Sequence, residues 1–175
     1  MRILLGVTGS IAAYKAADIA NGLVKNGHTV HVAMSDSATK FITPLTLQTL
    51  SKNKVHLDVM VEDDANRIEH IDLIKDVDLI LIAPASANII GKIANGIADD
   101  MLSTLALVGH ELPIYIAPAM NTRMYENPIV QSNMQKLKDY GVKFIEPRTT
   151  LLACKDVGKG AMENADKILE LIETL

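Results

Sequence analysis

Three side chains in this sequence carry chemistry that packing alone does not require: the imidazole of His70, the carboxamide of Asn121 and the thiol of Cys154. An imidazole titrates near neutrality and can take a proton from a reacting group. A carboxamide donates hydrogen bonds to a carboxylate without the strong ion pair an arginine would form. A thiol with a pKa near about 8.5 is mostly protonated at neutral pH and can act as an acid. Each residue also has a plainer reading. His70 is one of five histidines and begins a helical segment, where a surface or capping role is ordinary. Asn121 precedes a helix expected to begin near Asn127. Cys154 is the sole cysteine, so it forms no internal disulfide and is either a packed thiol or a working one. It stands in a loop with Gly158 and Gly160 that reads as a mobile flap. His28, His31, His56 and His110 show no zinc spacing such as HExxH, and no metal is expected.

A second group follows the strand-like segments: Thr8, Gly9, Ser10 and Ile11; then Ser35, Asp36 and Ser37; then Pro84, Ala85, Ser86, Ala87, Asn88 and Ile89; then Pro118, Ala119 and Met120 beside Asn121. In open parallel sheets ligands bind beyond the carboxyl ends of the strands. Small hydroxyls, amides and backbone N–H groups at that edge suit an uncharged ring system and a phosphate. Ser10, Ser37 and Ser86 are also ordinary helix caps, and it is their convergence on one edge that favours a site. Gly9 stands alone in TGSIAAYK, which is not the GxGxxG dinucleotide fingerprint, so the loop points to a mononucleotide rather than NAD.

These residues need a scaffold, and the patterning supplies one. Strands are expected at Ile3 to Val7, Thr29 to Met34, Leu79 to Ala83, Ile114 to Ala117 and Lys143 to Ile145, each apolar enough to be buried on both faces. Helices are expected at Ala12 to Lys25, Ala38 to Leu50, Ala87 to Leu107, Ile129 to Tyr140 and Ala165 to Thr174, with Gly27 and Gly141 as stops. The acidic stretch Asn53 to Arg67 reads as a loop that could hold a short strand. The alternation predicts a single-domain, Rossmann-like or flavodoxin-like three-layer α/β sandwich with a mostly parallel sheet over residues 1–175. A net charge of −4 gives no basic surface for nucleic acid or anionic membrane. No apolar run approaches the roughly 18 residues of a membrane span, and a cytoplasmic location is expected.

Four segments, GVTGSIAAYK, HIDLIKDVDLILIAPASANIIGKIANGIADDMLS, PAMNTRMYENP and ACKDVGKGAM, occur in an order that resembles the homo-oligomeric flavin-containing cysteine decarboxylases, the phosphopantothenoylcysteine decarboxylases in particular. Ile89, Tyr125 and Lys155 depart from the threonine, tryptophan and glycine usual in that family. The resemblance implies FMN held by Gly9, Ser10, Ile11, Ser35, Ser37, Ser86, Ala87, Asn88, Ile89 and Met120. It implies a substrate, 4'-phosphopantothenoylcysteine, held by Asn121, Ala153, Cys154 and Met162. The substrate's cysteine carboxylate sits on a carbon with no electron sink; oxidation of the adjacent CH2–SH to a thioaldehyde provides one, and hydride return after loss of carbon dioxide gives 4'-phosphopantetheine. His70 is then the base, Asn121 the carboxylate's partner and Cys154 the late proton donor, while Met124 is expected in core packing. The resemblance further implies a trimer or trimer-based dodecamer with FMN between subunits, and a synthetase domain fused or partnered. Alternatives on the same fold are a peptidyl-cysteine decarboxylase of lantibiotic maturation, a flavin prenyltransferase and a non-catalytic flavoprotein regulatory subunit.

Overall fold

The computed structural model describes residues 1–61, 68–151 and 157–175. The expectations for Ala153, Cys154 and Lys155 lie outside the described residues. Six strands, β1 (Arg2–Val7), β2 (Thr29–Met34), β3 (Val55–His56), β4 (Leu79–Ala85), β5 (Ile114–Pro118) and β6 (Lys143–Phe144), form one sheet in the order β3-β2-β1-β4-β5-β6. Every pairing in it is parallel, with Ile3 opposite both Val30 and Leu79. The short strand left open in the sequence is β3, where Val55 pairs with Val32.

The period of two sorts the sheet into two apolar faces. Ile3, Leu5 and Val7 point into a layer shared with Ile19 and Leu23 of α1 (Lys15–Lys25) and Ile168 and Ile172 of α9 (Ala165–Glu173). Leu4, Ile80 and Ile82 point the other way, onto Ile90 of α5 (Ala87–Ala94), Leu102 and Leu105 of α6 (Met101–Val108) and Met134 of α8 (Pro128–Asp139). Burying each such side chain stabilises the fold by about 1.5–3 kcal/mol before the entropy of ordering is counted. The sandwich is therefore specified from both sides of the same strands. No helix among the described residues is long and apolar enough to cross a membrane.

Three expected helices are divided. A 3-10 turn, Ile11–Tyr14, precedes α1. The segment expected as Ala38 to Leu50 forms α2 (Asp36–Thr39) and α3 (Pro44–Ser51), because Thr43 caps the second piece and Pro44 occupies its first turn, where a missing N–H costs nothing. The segment Ala87 to Leu107 divides at Gly96, and Asp100 starts α6 with a reciprocal capping box to Ser103. The helix begun by His70 is α4 (Glu69–Lys75). Two further elements were not expected: α7 (Thr122–Tyr125), a single turn, and an antiparallel hairpin of β7 (Arg148–Leu151) and β8 (Val157–Ala161).

Candidate functional site

The carboxyl ends of β1, β4 and β5 are fastened to one another by short-range polar contacts. Thr8, 2% exposed, donates its hydroxyl to the Pro84 carbonyl at 2.8 Å and accepts from the Ser86 N–H at 2.9 Å. Ala119 N–H donates to the Ala85 carbonyl at 2.9 Å. Loops that would otherwise diverge from parallel strands are thus held as one rigid edge.

The loop after β1 is held against the loop after β2 by a close approach. A Cβ on Gly9 would lie 2.5 Å from the Ser37 Cβ and 3.1 Å from its carbonyl carbon, so glycine is needed for these loops to touch. The N–H groups of Gly9, Ser10 and Ile11 find no acceptor among the described residues, and the same holds for Ala87 and Asn88 at the start of α5. The serines behave partly as caps: Ser10 accepts from Ala12 N–H, Ser35 from Ala38 N–H and Ser86 from Ile89 N–H. Ser37, expected as a cap, lies within α2 instead; Ser35 does the capping.

Above this edge lies a cavity of about 540 Å³, within the range usual for small-molecule sites. Gly9, Ser10, Ile11, Ser86, Ala87, Met120 and Asn121 line it, as does Met162, which is 1% exposed. Sequence reasoning had placed all eight in the site. It missed Ala12, Tyr14 and Lys15 at the start of the first helix, and Arg148, Thr150, Leu151, Gly160 and Ala161 on the hairpin, which also line it. It also assigned Met124 to core packing, whereas Met124 is 49% exposed and lines the cavity; the single turn of α7 turns it outward. Ser35, Ser37, Asn88 and Ile89 do not line it; Ser37 borders the Gly9 loop, Ser35 N–H donates to the Val7 carbonyl at the end of β1, and Ile89 packs into the core on α5.

Asn121 is the cap of α7, its Oδ1 accepting from Arg123 N–H at 2.8 Å. That bond uses the acceptor end of the carboxamide and fixes the side chain at the cavity wall. The hairpin closes over α7 through backbone contact: Met120 N–H donates to the Gly160 carbonyl at 2.9 Å, and a Cβ on Gly160, whose φ is +151°, would collide with the Met120 carbonyl oxygen. A polar clasp secures the same contact. Lys159 on β8 pairs with Glu146 at 2.6 Å and lies over the Tyr125 ring, whose hydroxyl also donates to Glu146 at 3.4 Å. Burial, then the Glu146 charge, raises the Tyr125 pKa, and the Lys159 bond holds the Glu146 carboxyl below its ordinary range.

His70 stands apart from this cavity. The first turn of α4 has no side-chain cap; Glu69 is instead tied to His56 Nδ1 of β3 and to Lys54 Nζ just before it, each at 2.9 Å. The neighbouring His70 presents a buried Nδ1 with no hydrogen-bond partner among the described residues. A buried ring nitrogen normally pairs with a protein group or a water.

The whole chain, residues 1–175, matches the family described as Flavoprotein. A probable phosphopantothenoylcysteine decarboxylase of Streptococcus mutans serotype c is 54% identical over 173 residues, covering 98% of this chain and 97% of that one. The coenzyme A biosynthesis bifunctional protein CoaBC of Borreliella burgdorferi is 49% identical over 170 residues, 97% of this chain but 43% of that longer protein. Among solved structures, a PPC decarboxylase Cys-to-Ser mutant complexed with pantothenoylaminoethenethiol superposes with a TM-score of 0.88 at 29% identity, covering 99% of this chain and 96% of that one. The FMN binding protein AtHal3 gives a TM-score of 0.86 at 30% identity, covering 99% and 95%. With a family match over its full length and a relative this close, the chain belongs to the flavoprotein family.

Proposed function

We propose that this chain is an FMN-dependent decarboxylase that converts 4'-phosphopantothenoylcysteine to 4'-phosphopantetheine in coenzyme A biosynthesis. The observation that carries the reading is the cavity itself, which joins the N–H groups of the Gly9 loop and of Ala87, without acceptors among the described residues, to Asn121 and Met162 beneath the hairpin. That donor set fits a flavin mononucleotide: backbone N–H groups and small side chains leave room for a flat ring and can donate hydrogen bonds to a phosphate. Gly9, Ser10, Ile11, Ser86, Ala87 and Met120 are the residues that would hold it, with Ser35, Ser37, Asn88 and Ile89 supporting them.

The chemistry that a bound flavin supplies is reversible hydride acceptance. The protein's part is to bind, orient and move protons. His70 takes the proton of the substrate thiol, and the Asn121 amide donates to the carboxylate, holding it in place without an ion pair that would resist loss of charge as carbon dioxide leaves. Ala153 and Met162 bound the substrate, and Cys154 delivers the proton that completes reduction of the enethiol. Because His70 lies away from the single-chain cavity, the reading includes a homo-oligomer, a trimer or trimer-based dodecamer, in which the site is completed between copies. Exposed Ile11 and Ile129 are apolar surface available to such contacts. A synthetase domain, fused or separate, would supply the substrate, as the bifunctional relatives suggest.

Protein purified from cells is expected to be yellow, to release FMN on denaturation, and to produce 4'-phosphopantetheine and carbon dioxide from 4'-phosphopantothenoylcysteine. A colourless protein that takes up no added FMN would overturn the reading, as would a flavoprotein that leaves this substrate untouched. The role given to Cys154 has its own test. Serine is a far weaker acid than a thiol, so Cys154→Ser is expected to release carbon dioxide and stop at the enethiol. Under anaerobic conditions, mass spectrometry should find a product two mass units lighter than 4'-phosphopantetheine, about one equivalent per site. Saturated product at the wild-type rate would remove Cys154 from the mechanism.

A further inference from the structure

One wall of the cavity carries two cations that the assigned roles do not use. Lys15 reaches it from the start of α1 and Arg148 from the first residue of β7. Both aim at the same atom: Lys15 Nζ lies 3.4 Å and Arg148 Nε 3.5 Å from the Met162 carbonyl oxygen, and that carbonyl belongs to a residue also lining the cavity. Their remaining contacts are long as well, Lys15 to Asn164 Oδ1 at 3.4 Å and Arg148 to the Glu163 carboxylate at 3.5 Å. Charge-assisted bonds in proteins settle near 2.7–2.9 Å. Two positive charges therefore converge on one neutral oxygen, with one carboxylate between them and each contact at the outer limit of a hydrogen bond. The Lys15 pKa is lowered, first by burial and then by the Arg148 charge, with Glu163 opposing. A group so placed gains from an arriving anion in a way that a saturated surface ion pair does not.

We propose that Lys15 and Arg148 form the subsite for the substrate's phosphate monoester and set the preference for phosphorylated over unphosphorylated substrate. The proposal rests on the function given above and deepens it. The substrate carries two anionic groups, and the carboxylate at the reacting end is given to the neutral Asn121. The phosphate is a dianion at the opposite end, takes no part in bond breaking, and matches a site with net positive charge. Arginine presents a planar fork to phosphate oxygens and lysine a point charge, a complementary pair for a tetrahedral dianion. Arg148 is also on the hairpin, so a phosphate bridging it to Lys15 ties β7 to α1 when substrate is bound.

The test compares 4'-phosphopantothenoylcysteine with pantothenoylcysteine in the wild type, Lys15→Gln, Arg148→Gln and Arg148→Lys, each checked for FMN content. The ratio of kcat/KM for the two substrates is expected to fall by about 10- to 100-fold in each Gln variant, mainly through KM, with Arg148→Lys recovering part of it. Calorimetric titration of the wild type with 4'-phosphopantothenate and with pantothenate gives an answer that needs neither turnover nor a variant: the phosphorylated ligand is expected to bind at least about tenfold more tightly. Equal affinity, or equal loss on both substrates, would overturn the proposal. Loss of FMN with riboflavin binding retained would overturn it too, by giving the cations to the cofactor's phosphate. A wild type that processes neither substrate sinks the decarboxylase reading itself, and the titration then separates that failure from this one.

Discussion

Replacing Asn121 by Asp is expected to leave the fold in place and cripple turnover. Asn121 caps α7 through its Oδ1, and an aspartate carboxylate accepts the Arg123 N–H equally well, since Asn and Asp rank together as N-caps. What changes is the other half of the side chain: donor N–H groups are replaced by a negative oxygen, which in the proposed role would face the substrate's carboxylate. Two like charges about 4 Å apart at an effective dielectric of about 20 repel by roughly 4 kcal/mol, so kcat/KM should fall by about a thousandfold. The thermal midpoint should shift by only a few degrees, as the cap and the buried neighbours are unchanged. Steady-state kinetics beside a thermal melt checks both halves. Near-normal kinetics would show that the carboxylate lies elsewhere in the cavity.

The success of the sequence here has a definite limit. β1, β2, β4 and β5 were legible because strands buried on both faces must be continuously apolar. The strand-end residues followed from topology, since a parallel sheet brings its carboxyl ends to one edge. The hairpin did not follow. Its strands are only partly buried, and β8 carries Gly158 and Gly160, which weaken any strand signal; it exists because glycine lets β8 lie on Met120 and Thr122. Arg148, Thr150 and Leu151 were missed with it. Lys15 was missed for a different reason: a lysine in an amphipathic helix reads as a solvated face, and only the position of Met162 and Asn164 shows that it turns inward. The helix breaks at Thr43–Pro44 and Asp100–Ser103 did have signals, the Thr-Pro cap and the capping box, which the hydrophobic period overrode.

The second large effect is expected at His70. In a single chain the buried Nδ1 of His70 contributes no hydrogen bond to the fold among the described residues. A residue kept for stability would be bonded there, as Glu69 beside it is bonded to His56 and Lys54. Removing the imidazole should therefore cost activity and not stability. His70→Asn is expected to lower product formation by about 10²- to 10⁴-fold, the usual worth of a positioned base. The thermal midpoint should stay within a few degrees of wild type and the flavin should remain bound, because His70 does not line the cavity formed by the Gly9 loop and the start of α5. The discriminating readout is the order of loss. Flavin retained with no carbon dioxide released places His70 before decarboxylation, as a base acting on the substrate thiol must be. Flavin lost together with activity would make His70 a structural residue of the assembled site, and carbon dioxide released at the wild-type rate would move the base to another side chain. His56 is not a ready substitute: it is 8% exposed and its Nδ1 is already held by Glu69.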